Sequence, residues 1–220
     1  MSEEVRAEAR QNPGEPETTI PQLAREVFGD RAELAAAYHR SLATTAAQRG
    51  FIGPKEVGRL WERHILNCAV IGEAFGEGLK VADIGSGAGL PGIPLAIARP
   101  DLSVTLIEPL LKRSTYLAEI TEELGLDNVR VVRGRAEEQT RGIFDAVTSR
   151  AVAPLGKLAG WSLPLARPGG AMVAMKGASV SEELERDAAE IVAAGGADAE
   201  IFTVGEVLEQ PTTLIRIVRG

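Results

Sequence analysis

Cysteine is nearly absent from this chain: Cys68 is the single one. A lone cysteine can close no intramolecular disulfide and supply no thiolate metal cluster, so a reducing compartment and no metal site are expected. Aromatic residues are scarce, at 4%. The interior must then be built from aliphatic and small side chains, which suits a parallel sheet buried under helices. No apolar run is long enough to cross a bilayer. The opening MSEEVRAEAR is acidic and lacks the apolar stretch of a signal peptide, so a cytoplasmic protein without membrane contact is expected. Positive charge is not in excess either. The net charge of −7 argues against a wholly basic nucleic-acid coat and leaves room for a local basic patch.

The 220 residues suffice for one domain with a real core and a small appendage. Residues 1–19 hold five acids and two bases with Pro13, Gly14 and Pro16, and read as a disordered tail. Residues 20–76 contain no strand pattern and read as a helical subdomain. Pro21–Gln48 forms two helical segments broken near Gly29–Asp30, Arg49–Pro54 a loop, and Glu56–Ile71 an amphipathic helix. Trp61, His64, Ile65 and Cys68 fall on one side of that helix.

Residues 77–220 alternate strand and helix. Strands are expected at Lys80–Ile84, Ser103–Ile107, Val129–Val132, Phe144–Thr148 and Ala171–Met175. Helices are expected at Ile93–Ala98, Leu111–Leu124, Leu155–Leu165 and Ser181–Ala194, the last capped by Ser181. Ala199–Val204 and Thr213–Val218 read as a terminal antiparallel pair. This is an α/β fold with a doubly wound, mostly parallel sheet and its ligand at the carboxyl ends of the strands.

The stretch Lys80–Pro94, KVADIGSGAGLPGIP, is the most informative. A strand ends at Asp83, and Gly85, Gly87 and Gly89 then give a backbone able to take positive φ and admit a ligand closely. A dinucleotide fingerprint can be read at Gly87, Gly89 and Gly92, but it starts late relative to the strand end. Asp83 would repel a pyrophosphate, whereas it would hold the ammonium of S-adenosylmethionine. Glu108 ends the next strand 19 residues past Gly89, a spacing at which an acid hydrogen-bonds an adenosine ribose. S-adenosylmethionine is therefore the expected cofactor.

The acceptor is narrowed by elimination. No Asp/Asn-Pro-Pro-aromatic loop for an exocyclic amine follows strand four, where the chain reads Thr148-Ser149-Arg150-Ala151. Cys68 lies upstream of the cofactor motif, away from where a carbon-methylating nucleophile would stand. No Lys-Asp pair offers a base for a ribose hydroxyl. An acceptor that needs no deprotonation is left, such as a ring nitrogen; guanine N7 is one.

Six segments together resemble the small-subunit (16S) ribosomal RNA guanine-N7 methyltransferases, the RsmG or glucose-inhibited division protein B family. They are ERHILN (Glu62–Asn67), VADIGSGAGLPGIPLAI (Val81–Ile97), LIEPLLKR (Leu106–Arg113), VRGRAEE (Val132–Glu138), SRAVAPL (Ser149–Leu155) and MKG (Met175–Gly177). The resemblance implies a Rossmann-like class I methyltransferase fold, S-adenosylmethionine as donor, and small-subunit ribosomal RNA or the small subunit as partner; a monomer is expected. It implies that Asp83, Gly85, Ser86, Gly87, Gly89 and Leu90 hold the methionine end, that Glu108 holds the ribose, and that Ala136 and Glu137 lie against the adenine. Lys112, Arg113, Arg133, Arg135 and Arg150 look like basic residues at the cleft mouth, with Arg150 nearest the transferring methyl as the catalytic candidate. His64 sits where a core histidine would and is also a candidate RNA contact; Arg59 and Arg63 read as a solvated face unless the helical subdomain borders the cleft. Ala47–Pro54 departs from the Trp-Asn…Asn-Leu-Thr segment often found in the family. A methyltransferase of small molecules or proteins, a non-catalytic RNA-binding protein and an NAD-dependent oxidoreductase are the rival readings.

Overall fold

The computed structural model describes residues 20–150 and 152–220. The tail expected over residues 1–19 lies outside them. Seven strands form one sheet in the order β3-β2-β1-β4-β5-β7-β6. They are β1 (Lys80–Ile84), β2 (Ser103–Glu108), β3 (Val129–Arg133), β4 (Phe144–Arg150), β5 (Ala166–Met175), β6 (Gly196–Val204) and β7 (Thr212–Arg219). The first five run parallel, and β7 pairs antiparallel with both β5 and β6. Four of the five β1 residues are buried, as both faces of a central parallel strand must be.

One face of the sheet carries α1 (Gln22–Phe28), α2 (Ala32–Ser41) and α3 (Leu66–Ala69), together with α4 (Gly92–Ala98) and α5 (Leu111–Glu123). Their apolar sides share one cluster that includes Tyr38, Leu42, Trp61, Ile65, Ile93 and Leu117. The other face carries α6 (Leu155–Ser162), α7 (Val180–Arg186) and α8 (Ala188–Ala193) over a second cluster with Leu155, Leu158, Val180 and Ile191. Strand order turns about β1 and β4, so the crevice at their carboxyl ends is where a doubly wound sheet takes its ligand.

Several local expectations are corrected. The helix read at Glu56–Ile71 forms as one helical run of varying pitch: a 3-10 turn at Val57–Arg59, a π-helical turn at Trp61–Ile65, α3, and a 3-10 turn at Val70–Ala74. Trp61 lies flat on His39 there, ring centroids 4.9 Å apart, and the wide turn carries His64 toward β4. The helix read at Ser181–Ala194 divides at Asp187, whose carboxylate accepts the Gly156 N–H at 2.9 Å and so serves α6. Ser179, not Ser181, occupies the N-cap position of α7. The Arg-Pro-Gly-Gly run lies within β5 as a bulge between the Phe144–Ala166 and Ala146–Ala171 pairs, with Gly169 at φ 73° and Gly170 too close to the Asp145 carbonyl for any Cβ.

Candidate functional site

A cavity of about 610 Å³ opens at the carboxyl ends of β1, β2 and β4. Its floor is the glycine-rich turn after β1, Gly85 to Ala88 with Leu90; Glu108, Pro109 and Leu110 after β2 form one wall. Gly85, Gly87 and Gly89 have φ of 66°, 60° and 100°, the left-handed region in which a side chain would be strained. Gly89 is also crowded, since a Cβ there would come within 3.0 Å of the Tyr38 hydroxyl from α2. That hydroxyl donates to the Ala88 carbonyl at 2.8 Å, tying the loop to the N-terminal helices.

Glu108 is buried, and its two carboxylate oxygens accept the backbone N–H groups of Gly87 and Leu110, both at 2.9 Å. The acid is thereby fixed at the rim of the glycine turn. Asp83 behaves differently. It is fully buried beneath the turn and does not line the cavity; Oδ2 accepts the Gly92 N–H at 3.0 Å and Oδ1 has no hydrogen-bond partner. Burial pushes its carboxyl up to about 7, against which the Gly92 bond works only in part.

Arg150, the last residue of β4, closes the cavity on the far side. One guanidinium nitrogen lies 2.6 Å from His64 Nδ1, and another donates to the Cys68 sulfur at 3.5 Å. His64 Nε2 is 2.6 Å from Glu56 Oε2. Burial raises the Cys68 thiol to about 11, so this sulfur is a protonated packing group at neutral pH.

Two further cavities meet at Arg150. One, of about 380 Å³, is lined by Arg63, Asn67, Met175, Lys176, Gln210 and Thr213 among others. The other, of about 610 Å³, is lined by Arg59, Glu62, Arg63, Asn67 and Glu209. Arg59 and Arg63 are exposed and line these adjoining cavities, not the glycine-turn cavity.

Of the residues singled out in the sequence, Gly85, Ser86, Gly87, Leu90, Glu108, Arg113, Arg150 and His64 come together around one cavity. Arg113 reaches it with its guanidinium 5.9 Å from the Phe51 ring centre. Asp83, Gly89, Ala136, Glu137, Lys112, Arg133 and Arg135 do not line it. Ala136 packs against the second apolar cluster, and Lys112, Arg133, Glu137 and Arg135 are exposed. Sequence reasoning did not single out Phe51, Ile52 and Gly53, which form the lip opposite the glycine turn, nor Val152, against which Gly85 packs. The sequence signal at that lip is the departure of Ala47–Pro54 from the resembled pattern.

The donor set fits S-adenosylmethionine. A buried carboxylate stands at the end of β2, a positive-φ glycine turn without bulky side chains lets a ligand approach closely, and the cleft is wide enough for a nucleoside with an amino-acid tail. Among the described residues no group of three or more His, Cys, Asp or Glu could hold a metal ion, and no helix is long and apolar enough to cross a membrane.

Comparison with known proteins places this geometry. The family GidB, described as rRNA small subunit methyltransferase G, matches residues 31–211. The ribosomal RNA small subunit methyltransferase G of Corynebacterium glutamicum is 69% identical over 206 residues, covering 91% of this chain and 92% of that protein. The protein of the same name from Rhodococcus jostii is 56% identical over 214 residues, covering 94% of each. Among solved structures, M. jannaschii TYW2 in complex with AdoMet superposes with a TM-score of 0.55 at 18% identity, covering 70% of this chain and 74% of that one. That last likeness is one of fold, the Rossmann-like class I methyltransferase architecture.

Proposed function

This chain belongs to the GidB family of small-subunit ribosomal RNA methyltransferases, and from that premise we propose that it transfers a methyl group from S-adenosylmethionine to N7 of a guanine in 16S ribosomal RNA. The observation that carries the reading is the place of Arg150, whose guanidinium stands on the border between the glycine-turn cavity and an adjoining cavity lined by Arg63, Asn67 and Lys176. The first holds the donor and the second receives the acceptor base.

S-adenosylmethionine supplies a methyl group made electrophilic by its sulfonium. Glu108 holds the ribose hydroxyls at the end of β2, and the turn from Gly85 to Leu90 receives the methionine end. Arg150 donates to the guanine O6 and leaves the N7 lone pair free. Arg63 attracts a flanking phosphate, while Lys176, paired with Glu183 at 2.6 Å, braces the cavity wall. N7 carries no proton, so no general base is required, and the protein contributes alignment and exclusion of water. The helices before β1 form the far wall of the cleft as a subdomain over residues 20–76. The protein works as a monomer in the cytoplasm, on the small subunit or its RNA.

The test uses radiolabelled S-adenosylmethionine and small ribosomal subunits from cells lacking the gene, followed by chemical cleavage of the RNA at 7-methylguanosine. Label in the RNA with a single cleavage site is expected. Confirmed cofactor binding with no label in RNA would leave the donor half of the reading and overturn the acceptor.

A further inference from the structure

We infer that Glu56, His64 and Arg150 form a positioning relay, in which neutral His64 holds the Arg150 guanidinium at the boundary between the donor and acceptor cavities. The chemistry of the three groups allows one arrangement. A guanidinium only donates, so His64 Nδ1, 2.6 Å from it, must accept. A carboxylate only accepts, so Nε2, 2.6 Å from Glu56 Oε2, must carry the proton. His64 is thus fixed as the neutral Nε2–H tautomer, and the partners assign it. The relay joins three separate stretches: the loop before Val57, the π-helical turn Trp61–Ile65 and the end of β4.

The surroundings keep His64 neutral. Its ring is mostly buried, and its pKa is lowered first by that burial and then by the Arg150 charge; Glu56 opposes both. Arg63 adds a smaller push in the same direction as Arg150. Arg59, Glu62 and Glu209 line the cavity that His64 shares with Arg150, and the Cys68 sulfur beneath Arg150 is protonated. On acidification Nδ1 takes a proton and becomes a donor facing a guanidinium. The bond is then lost and the two cations repel, so Arg150 is released from the boundary. Methyl transfer should fall along a single-proton limb on the acid side of the ordinary histidine value. His64 acts through Arg150 and is a positioning residue.

This rests on the methyl transfer proposed above, and the test separates the two. Transfer to small subunits is measured across pH for the wild type, His64→Ala, His64→Gln and Glu56→Gln, with thermal melts to verify folding. His64→Ala should lower transfer about tenfold or more at neutral pH. His64→Gln, whose amide can accept from Arg150 and donate to Glu56, should recover most of that loss and flatten the acid limb. Glu56→Gln removes the carboxylate that raises the His64 pKa, so its limb should move to lower pH. An acid limb identical in all four proteins overturns the relay. In parallel, the imidazole nitrogens are read by NMR, where His39 is the only other histidine in the chain. An Nδ1–H tautomer at His64, or a His64 titration that Glu56→Gln leaves in place, also overturns it. If the wild type labels no RNA at any pH, the proposed acceptor fails and the NMR result still decides the relay.

Discussion

Asp83 and Gly92 are locked together beneath the glycine turn: the Asp83 Oδ2 accepts the Gly92 N–H at 3.0 Å, and a Cβ on Gly92 would stand 2.7 Å from that same oxygen. The carboxylate at the end of β1 therefore props the start of α4. Its influence on a ligand in the cleft runs through the turn it supports and through its charge, since it has no face on the cavity.

The first prediction follows from the burial of that charge. The Asp83 pKa is raised from 3.8 to about 7, chiefly by desolvation. A carboxyl whose folded pKa lies above its unfolded one stabilises the fold fully below the unfolded value, and that contribution is lost as pH rises through the folded value. In the absence of cofactor the wild type should lose stability between about pH 4 and pH 7. Asp83→Asn keeps an acceptor for Gly92 without the charge, so its stability relative to wild type should climb across that window by on the order of a few kcal/mol. Urea unfolding at the two ends of the window checks this, and parallel behaviour of the two proteins would remove the buried charge from the account.

The second concerns Glu108. Both oxygens are occupied by backbone N–H groups, of Gly87 and Leu110. Glu108→Gln replaces one acceptor by an amide NH₂, which leaves one buried N–H facing a donor. It also loses the charge that a ribose hydroxyl would donate to. S-adenosylmethionine affinity should fall by about 1.5–3 kcal/mol, the range for hydrogen bonds to a charged group. Isothermal titration is the measurement, and an unchanged dissociation constant would take Glu108 out of the cofactor site.

Much of this site was legible because its signals are local. Asp83, the three glycines and Glu108 sit at strand ends, where period-two alternation stops and positive φ is needed; a short window of sequence carries that information. The facing of each side chain is not local. Asp83 turns under the loop because Gly92 leaves space there, a fact set by the packing of α4 on Leu106. Arg133 pairs in register with Glu108, yet β3 is an edge strand, and its side chain is exposed while Glu108 is buried. Lys112 and Arg113 are neighbours on α5, and only Arg113 reaches the cavity, because the helix turns by about 100° per residue. Arg63, Asn67 and Lys176 come to one cavity from segments more than a hundred residues apart, which no motif spacing encodes.

The third prediction addresses Arg150. Its guanidinium spans His64 Nδ1 and the Cys68 sulfur with two separate nitrogens. Arg150→Ala should lower transfer by about 100-fold or more through lost alignment, with the fold retained because the side chain ends in a cleft. Arg150→Lys should not rescue it, since a single ammonium lacks the planar fork that reaches both partners and the acceptor together. Single-turnover labelling with thermal melts distinguishes the cases, and wild-type transfer in either variant would place the chemistry elsewhere.

The last prediction sets two glycines against each other. A Cβ at Gly92 would run into the Leu106 side chain as well as Asp83. Both sit in fully buried surroundings with no flexible end to swing away. Gly92→Ala should destabilise by about 1–3 kcal/mol, the usual cost of overpacking a dense core, and should weaken cofactor binding because the turn and α4 shift together. Gly160, in the middle of α6, has nothing within 4 Å of its built Cβ and is exposed. Gly160→Ala should instead stabilise by about 0.5–1 kcal/mol through helix propensity, with cofactor affinity untouched. The pair isolates packing from backbone entropy within one protein. Equal effects of the two substitutions on urea midpoint would mean that the space beneath the glycine turn is not as tight as the Asp83–Gly92 contact makes it.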